Sequence, residues 1–300
     1  MRIGYPCINL SIDCKGGSTF RLKSYSEQRL ITTIKNNLDC LLQILEYNAA
    51  HNILFFRISS DLVPFASHPV NDFNWQSFFA KYFRKIGGFV KDNNMRISMH
   101  PDQFTLLNSP EIRVLSNSVR ELLYHAQVLD LLGLDETAKI QIHVGGIYAD
   151  KAASIDRFIS RYEVLDKVIR KRLVIENDDR LYSWKDCQEI SQRCGIPVLF
   201  DIFHHSLNNR GESPVKILHQ LQRQWQRQDG IPMLDYSSQE QDGRKGRHSN
   251  TLNDTQFKDF LQASKGYDFD IMLEIKDKER SALKAIDLAR KDSRLISRNI

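Results

Sequence analysis

Apolar residues along the chain fall into two alternating kinds of segment. Short runs rich in β-branched and aromatic residues are typical of buried strands, and longer stretches with apolar residues every three to four positions are typical of amphipathic helices. The runs that predict strands are RIGY (2–5), LFFRIS (54–59), RISMH (96–100), KIQIHV (139–144), LVIEN (173–177), PVLFDI (197–202), PMLDYS (232–237) and IMLEIK (271–276).

The segments between these runs have the period of helices. Residues 26–50 begin with a serine that can cap a helix, and their leucines and isoleucines share one face. Residues 111–133 end in a glycine, as helices often do. Successive strands are mostly about 24 to 43 residues apart, which is enough for a strand, a crossover helix and two loops.

Eight such units predict one domain over residues 1–300 with an α/β fold, a (β/α)₈ TIM barrel. A doubly wound sheet usually has fewer strands and a glycine-rich first turn, and the turn after the first strand has no G-x-G-x-x-G. No linker rich in proline, glycine or serine interrupts the series.

Composition narrows the class of protein. The hydrophobic fraction of 41% is ample for a core, and neither a membrane-length apolar run nor a signal peptide is visible, so we expect a cytoplasmic protein. The net charge of +5 mildly favours a polyanionic partner. Five cysteines without a C-x-x-C pair argue against a disulfide framework and against a cysteine zinc site.

Side chains that can bind metals follow most of the predicted strands. The stretch FDIFHHSLNN (200–209) places an aspartate and two histidines directly after an apolar run. In a barrel of this kind, residues at the carboxyl ends of the strands form the site. Nine such residues are metal-ligand candidates: His68, His100, His143, Glu176, Asp201, His204, Asp235, His248 and Glu274.

Each candidate alone has a simpler interpretation. A single histidine at a strand end is more often structural than a ligand, and one buried carboxylate could form an ion pair with an arginine. A carboxylate among apolar residues must be paired, protonated or metal-bound. Seven consecutive strands that each bring a histidine or carboxylate to the same rim, however, indicate a shared metal site.

The number and type of the candidates suggest which metals bind. One catalytic zinc needs about three protein ligands, so nine candidates predict two or three divalent ions. Imidazole and carboxylate ligands without thiolate suit zinc or manganese, with geometry and availability deciding between them. Clusters of close-set ions are suited to phosphodiester hydrolysis.

Seven motifs together resemble the UV damage endonucleases, a family related to endonuclease IV. In chain order they are GYPCINL, FRISSDLVPFASHP, SMHPDQF, IQIHVGG, VIENDD, DIFHHSLN and DYSSQ, and the similarity runs from Met1 to about Lys276. The resemblance implies a barrel that binds damaged duplex DNA and cuts 5′ to a UV photoproduct. It also implies up to three metals, so we expect manganese, with zinc as the alternative. The products would carry a 3′-hydroxyl and a 5′-phosphate, and the lesions could extend from pyrimidine dimers and 6-4 photoproducts to abasic sites.

Carried over position by position, the family's metal ligands fall on the same nine residues. We expect the catalytic ones to be Glu176, Asp201, His204 and Glu274, with His205 orienting a ligand. Some relatives have a lysine and a histidine at the positions of Met233 and Asp235. Anything that depends on that lysine cannot be carried over, whereas Asp235 is a competent ligand.

The resemblance also implies residues that read the lesion. Tyr5 and Asn9 match positions that line the pocket for the flipped lesion. Gln103 and Phe104 match a pair that wedges into the duplex, where relatives are expected to have tyrosine in place of Phe104. The alternative for Phe104 is an ordinary loop aromatic that packs under the barrel rim.

The basic segment GRKGRH (243–248) ends at the candidate ligand His248. Its residues Arg244, Lys245 and Arg247 are expected to contact phosphates, which would make binding depend on salt. The alternative is a solvated loop.

Two other functions fit parts of the pattern. A metal-dependent sugar isomerase or epimerase uses the same barrel with similar ligands, and a damage-binding protein without cutting activity would keep the DNA surface. The basic loop favours a polyanion over a sugar, and the full set of ligands favours cutting. We therefore expect a metal-dependent endodeoxyribonuclease of DNA repair, acting as a monomer at the nucleoid and not at a membrane.

Overall fold

A computed structural model describes residues 1–297 of the chain. Its eight strands form a closed barrel in which every strand is parallel to its neighbours and the spatial order follows the sequence. The predicted TIM-barrel fold is therefore confirmed. The last three residues of the predicted domain, 298–300, lie outside the described residues.

Each predicted strand is confirmed, with its ends shifted by no more than three residues. The strands are short and almost wholly buried, because side chains fill the barrel on one face and contact the helices on the other. Their bounds are β1 Ile3–Pro6, β2 Phe55–Ile58, β3 Arg96–Met99, β4 Lys139–His143, β5 Leu173–Glu176, β6 Val198–Asp201, β7 Met233–Tyr236 and β8 Asp270–Leu273.

Helices surround the barrel, and within residues 1–297 every helix is too short or too polar to span a lipid bilayer. The predicted serine cap is confirmed, since Oγ of Ser26 accepts from the backbone N–H of Arg29. The helices are α1 Glu27–Ala50, α2 Trp75–Phe78, α3 Ala80–Asp92, α4 Ile112–Leu131, α5 Lys151–Glu163, α6 Lys167–Arg170, α7 Trp184–Cys194, α8 Ile202–Leu207, α9 Pro214–Gln224, α10 Asp254–Ala263 and α11 Glu279–Leu288.

Strands β1 and β2 approach each other closely at Gly4. A Cβ atom on this residue would lie 1.8 Å from the backbone oxygen of Phe55, so only glycine fits. The register pairs Tyr5 with Phe56 and Pro6 with Arg57. Because side chains alternate between the two faces of a strand, this register sets which of them enter the barrel.

Buried ion pairs close the amino-terminal end of the barrel. Nη1 of Arg96 lies 3.0 Å from Oδ2 of Asp270, and Lys139 pairs with Asp229. These four side chains are at least nine-tenths buried. The opposite end of the barrel, formed by the carboxyl ends of the strands, is therefore the open one.

The expectation against disulfides is wrong for one pair of cysteines. Cys14 and Cys40 form a disulfide that joins the segment after β1 to helix α1. No C-x-x-C pattern could signal this bond, because the two residues are 26 positions apart and meet only when the segment folds back on the helix. Cys7, Cys187 and Cys194 are free thiols.

Candidate active site

Seven of the nine predicted ligands meet at the carboxyl ends of the strands. They form three groups in which the nitrogen and oxygen atoms of different residues lie within 4.8 Å of one another. Glu176 belongs to the first and second groups, and Asp201 belongs to the second and third. The groups are His100, His143 and Glu176; Glu176, Asp201 and His204; and Asp201, Asp235 and Glu274.

The first group combines two imidazoles with one carboxylate. Nδ1 of His100 donates to the backbone oxygen of Pro101 at 2.7 Å, which leaves a lone pair on Nε2, 3.5 Å from Oε2 of Glu176. Nε2 of His143 lies 3.9 Å from the same oxygen. Burial lowers the pKa of His143 and so favours the neutral form that binds metals.

The second group joins strand β6 to helix α8. Asp201 ends the strand and accepts from the backbone N–H of His204 at 2.6 Å, so it also caps the helix. Nδ1 of His204 lies 3.0 Å from Oε1 of Glu176. Burial raises the pKa of Asp201 to about 8. For His204, burial disfavours the charged form, but the carboxylates of Asp201 and Glu176 favour it and raise the pKa of His204 to about 11. Metal binding would displace these protons.

The third group surrounds an arginine that was not among the residues predicted from the sequence. Nη2 of Arg57 donates to both carboxylate oxygens of Asp235 at 2.8 Å, and Nη1 donates to Oε1 of Glu274. Gln141 donates to Oδ2 of Asp235 at 2.6 Å and also to Glu176. Their signal in the sequence was a charged or polar residue inside an apolar strand, as in LFFRIS and KIQIHV.

Charge balance in this group depends on Arg57. Burial opposes ionisation of Glu274, but the guanidinium of Arg57 lowers the pKa of that carboxyl to about 2. Burial and the neighbouring carboxylates raise the pKa of Asp235, and Arg57 opposes this rise. The ion-pair alternative considered for a single carboxylate therefore holds for both side chains.

The remaining predicted ligands lie outside the three groups. Nε2 of His248 is 4.0 Å from Oε2 of Glu274, and its Nδ1 donates to the backbone oxygen of Glu274 at 2.8 Å. His68 is exposed, and its Nδ1 accepts from the backbone N–H of Val70. Their roles as ligands stay predictions. The ring of His205 packs against Phe200, and its Nε2 donates to the backbone oxygen of Glu212. Neither of these partners is a predicted ligand.

The first two groups fit divalent cations. Both contain imidazole and carboxylate donors, which suit zinc and manganese. Two buried atoms in them, Nδ1 of His143 and Oδ2 of Asp201, have no hydrogen-bond partner among residues 1–297, and a buried polar atom without a partner is costly. Shared carboxylates at Glu176 and Asp201 would allow ions in adjacent groups to lie close together.

A cleft of about 550 Å³ opens beside the third group and carries several positive charges. His100 and Glu274 lie on its wall together with parts of the basic loop 243–248. The cationic residues that line it are Arg57, Arg244, Arg247, Lys276 and Lys278. A phosphate in this cleft would therefore be close to both the candidate ligands and the lysines.

The basic loop is ordered by Gln239, another residue that was not predicted from the sequence. Its side chain donates to the backbone oxygen of Arg244 at 2.9 Å and accepts from the N–H of Gly246 at 2.9 Å. Arg244, Lys245 and Arg247 are all exposed, and Nε of Arg247 lies 2.5 Å from Oε2 of Glu240. The loop therefore presents three exposed cations, one of which is already paired with a carboxylate.

The predicted wedge residues lie in the loop after β3 and face solvent. Phe104 is 71% exposed and Gln103 is exposed beside it. The alternative in which Phe104 packs under the rim is therefore wrong. Oδ1 of Asp102 accepts from the backbone N–H of Phe104 at 2.8 Å and so fixes the base of this loop. The role of Gln103 and Phe104 as a wedge stays a prediction.

Tyr5 lies on the side of β1 that contacts helix α1. Its side chain is fully buried, and its hydroxyl donates to Oδ1 of Asn48 in helix α1 at 2.7 Å. Asn9 is 4% exposed and donates to the hydroxyl of Tyr5 at 2.8 Å. Both side chains are therefore buried and hydrogen-bonded beside α1, and their expected role in lining the pocket for the lesion stays a prediction.

Buried polar groups at the carboxyl ends of the strands of a parallel barrel define the class of barrel enzymes with a site at that end. Comparison with known proteins then identifies the family. The profile of the UV-endonuclease UvdE matches residues 1–297. The chain belongs to this family of UV DNA damage endonucleases.

Two relatives illustrate how far the similarity extends. The chain is 38% identical over 289 residues to the UV DNA damage endonuclease of Clostridium perfringens, covering 96% of this chain and 70% of the relative. The crystal structure of SacUVDE superposes with a TM-score of 0.94 at 47% identity and covers 98% of this chain and 100% of that one. The relationship thus covers the barrel and its mouth.

A more distant structure shares the fold alone. Endonuclease IV from Thermus thermophilus has a TM-score of 0.60 at 13% identity, with 97% of this chain and 98% of that chain covered. Barrels of this type support many activities, so fold likeness at this level says nothing about the reaction.

Proposed function

We propose that the chain is an endonuclease that recognises UV photoproducts in duplex DNA and hydrolyses the phosphodiester bond 5′ to the lesion. Its lesions would be pyrimidine dimers, 6-4 photoproducts and abasic sites, and its products would carry a 3′-hydroxyl and a 5′-phosphate. The proposal includes a monomer that acts on the chromosome in the cytoplasm and depends on manganese, with zinc as the alternative metal.

One observation carries this proposal. Adjacent groups of ligand atoms share Glu176 and Asp201, and these groups lie beside a cationic cleft. Shared carboxylates suit a pair of close cations, and paired cations suit in-line displacement at phosphorus. A cleft that joins these groups to Lys276 and Lys278 suits a polyanion. A sugar isomerase has no comparable need for these lysines.

Different residues would bind the metal ions and the phosphates next to the bond that is cut. His100, His143, Glu176, Asp201 and His204 would hold the divalent ions. Bound there, such ions would neutralise the charge of the phosphate and favour deprotonation of the attacking water. Lys276 would hold the adjoining phosphate at the cleft wall, and its ammonium is itself positioned by Oε1 of Glu240 at 2.9 Å.

The rim residues would recognise the damage. A photoproduct disturbs stacking, so its bases leave the helix more readily than normal bases do. Phe104 and Gln103 project into solvent on a fixed loop and would fill the gap that the displaced bases leave. Arg244 and Lys245 would hold the phosphates of the bent duplex without reading its sequence.

A nicking assay on supercoiled plasmid tests the proposal. Irradiated and unirradiated plasmid are incubated with Mn²⁺ or with EDTA, and we expect nicks only in the irradiated plasmid with Mn²⁺. Sealing of the nicks by DNA ligase would show the 3′-hydroxyl and 5′-phosphate ends. His143→Ala should abolish nicking, and His219→Ala, at an exposed position of α9, serves as the matched control.

Other outcomes would separate the alternatives. Binding of irradiated DNA without nicking under any divalent metal would replace the endonuclease with a damage-binding protein. Equal nicking of both plasmids would remove the specificity for damage.

A further inference from the structure

The third ligand group already contains a positive charge that belongs to the protein. Arg57 is 3% exposed, and its guanidinium lies between Asp235, Glu274 and Gln141. Asp235 and Glu274 are two of the three carboxylates that make up this group. In the first and second groups, by contrast, no ion pair to an arginine or lysine is present among the described residues.

Asp235 has little capacity left for a metal. Its Oδ1 accepts from Nη2 of Arg57 at 2.8 Å, and its Oδ2 accepts from the same nitrogen at 2.8 Å and from Nε2 of Gln141 at 2.6 Å. A carboxylate oxygen offers about two acceptor directions, so both directions of Oδ2 are used. A cation at Oδ2 would have to displace one of these bonds, so only one acceptor direction, on Oδ1, is left for a metal.

Charge also separates this group from the other two. A guanidinium cannot lose its proton inside a protein, so its positive charge is permanent. A divalent ion between Asp235 and Glu274 would lie next to that charge and would be repelled by it. The first and second groups supply imidazole nitrogens, which are neutral ligands when deprotonated, and the third supplies only carboxylates.

We propose that Arg57 is the resident cation of the third group, so that the chain binds two divalent ions and not three. Asp235 is then a positioning residue that holds Arg57 and Gln141, and Gln141 in turn donates to Glu176 of the first two groups. This inference rests on the proposed function of the site. It replaces the expectation from the sequence that Asp235 is itself a metal ligand.

Counting bound ions tests the inference independently of cutting. The purified chain is equilibrated with Mn²⁺, desalted, and examined by native mass spectrometry and elemental analysis. We expect two ions per chain in the wild type and two in Asp235→Asn. His143→Ala is the control for loss of a true ligand and should hold one ion or none.

Changes at Arg57 test the role of its charge. Arg57→Gln leaves three carboxylates without their cation and should bind a third ion, whereas Arg57→Lys keeps the charge and should hold two. A merely structural role for Arg57 would not raise the metal count. If Arg57→Gln fails to fold, the comparison between the wild type and Asp235→Asn decides the question.

The failures of the two proposals are distinguishable. Three ions in the wild type, or loss of one ion in Asp235→Asn, together with normal nicking of irradiated plasmid, would overturn this inference and leave the endonuclease intact. A chain that binds neither Mn²⁺ nor Zn²⁺ would overturn both the metal mechanism and the inference.

Discussion

Nδ1 of His204 lies 3.0 Å from Oε1 of Glu176, so a histidine at the start of helix α8 is held by a carboxylate at the end of strand β5. Glu176 also faces His100 and His143 on its other oxygen. One buried side chain thereby connects three imidazoles that are carried by three different βα units. The centre of the site is a carboxylate that the sequence placed among the expected catalytic residues.

Replacing this carboxylate tests the centre directly. Glu176→Gln keeps the shape of the side chain but removes the charge that two groups of ligands share, so Mn²⁺ binding should be lost. Nicking should then fall by about a thousandfold or more, because metal-based stabilisation of charge is worth several kcal/mol. Calorimetric titration with Mn²⁺ and initial nicking rates would measure both effects.

Glu189→Gln makes the same chemical change at an exposed position of helix α7 and should leave both quantities unchanged. If Glu176→Gln bound Mn²⁺ and nicked at the wild-type rate, Glu176 would not be a ligand.

The sequence was most informative where local pattern decides the outcome. Strand ends, helix faces and the order of ligand candidates all follow from periodicity, and a parallel barrel then places every strand end at one mouth. His143, Glu176 and Asp201 could therefore be assigned to one site before any contact between them was known. Contacts that form only through tertiary packing leave no signal in this local pattern.

The hydrophobic pattern of the sequence does not predict the direction of a side chain or its partner in the fold. Asp235 meets Arg57 across 178 positions, and only closure of the barrel brings them together. Every residue of β1 is apolar or small, so the sequence does not show which face of the strand Tyr5 occupies. The strand register and the hydrogen bond to Asn48 show that its side chain points to helix α1. The Cys14–Cys40 disulfide was hidden for the same reason, since spacing alone does not report proximity.

The exposed pair Gln103 and Phe104 gives a prediction about damage recognition. Replacing both with alanine removes the stacking surface, which is worth about 1–3 kcal/mol for each base. The preference for irradiated over intact duplex should fall by about tenfold or more. Competition binding with labelled irradiated duplex would measure it, and Phe104→Tyr should retain the preference because the stacking ring is kept.

The matched control is Val164→Ala, which removes another exposed apolar side chain at the carboxyl end of helix α5. Because that end of the helix lies away from the strand ends, selectivity should not change. An unaltered preference in the double alanine variant would exclude the wedge role of the loop after β3.

The basic loop makes a prediction about salt. Arg244 and Lys245 are exposed, so replacing both with alanine should reduce the slope of log affinity against log salt by about 1.8, since each phosphate contact contributes about 0.9. Arg247→Ala should change the slope less, because this guanidinium is already paired with Glu240. Binding to intact duplex at several salt concentrations would give the slopes.

Lys91→Ala removes an exposed charge beside the cavity at the amino-terminal end of the barrel and should leave the slope unaltered. If the Arg244 and Lys245 variant had the wild-type slope as well, the loop would be a solvated segment without phosphate contacts.

A buried histidine that belongs to none of the three ligand groups predicts how stability depends on pH. His125 in helix α4 is fully buried, and burial lowers its pKa to about 4 from 6.5. Between these two values the unfolded chain binds a proton that the folded chain does not, so the free energy of unfolding falls as the pH is lowered. The loss should approach about 3 kcal/mol at pH 4, since one pKa unit corresponds to about 1.4 kcal/mol.

Urea unfolding of the wild type and of His125→Phe between pH 7 and pH 4 would measure this contribution. The variant keeps an aromatic ring but cannot titrate, so its stability should decline less steeply over that interval. Substitution of the exposed His51 by phenylalanine is the matched control and should leave the pH dependence of the wild type in place. Parallel curves for the wild type and His125→Phe would show that His125 takes up its proton equally in the folded and the unfolded chain.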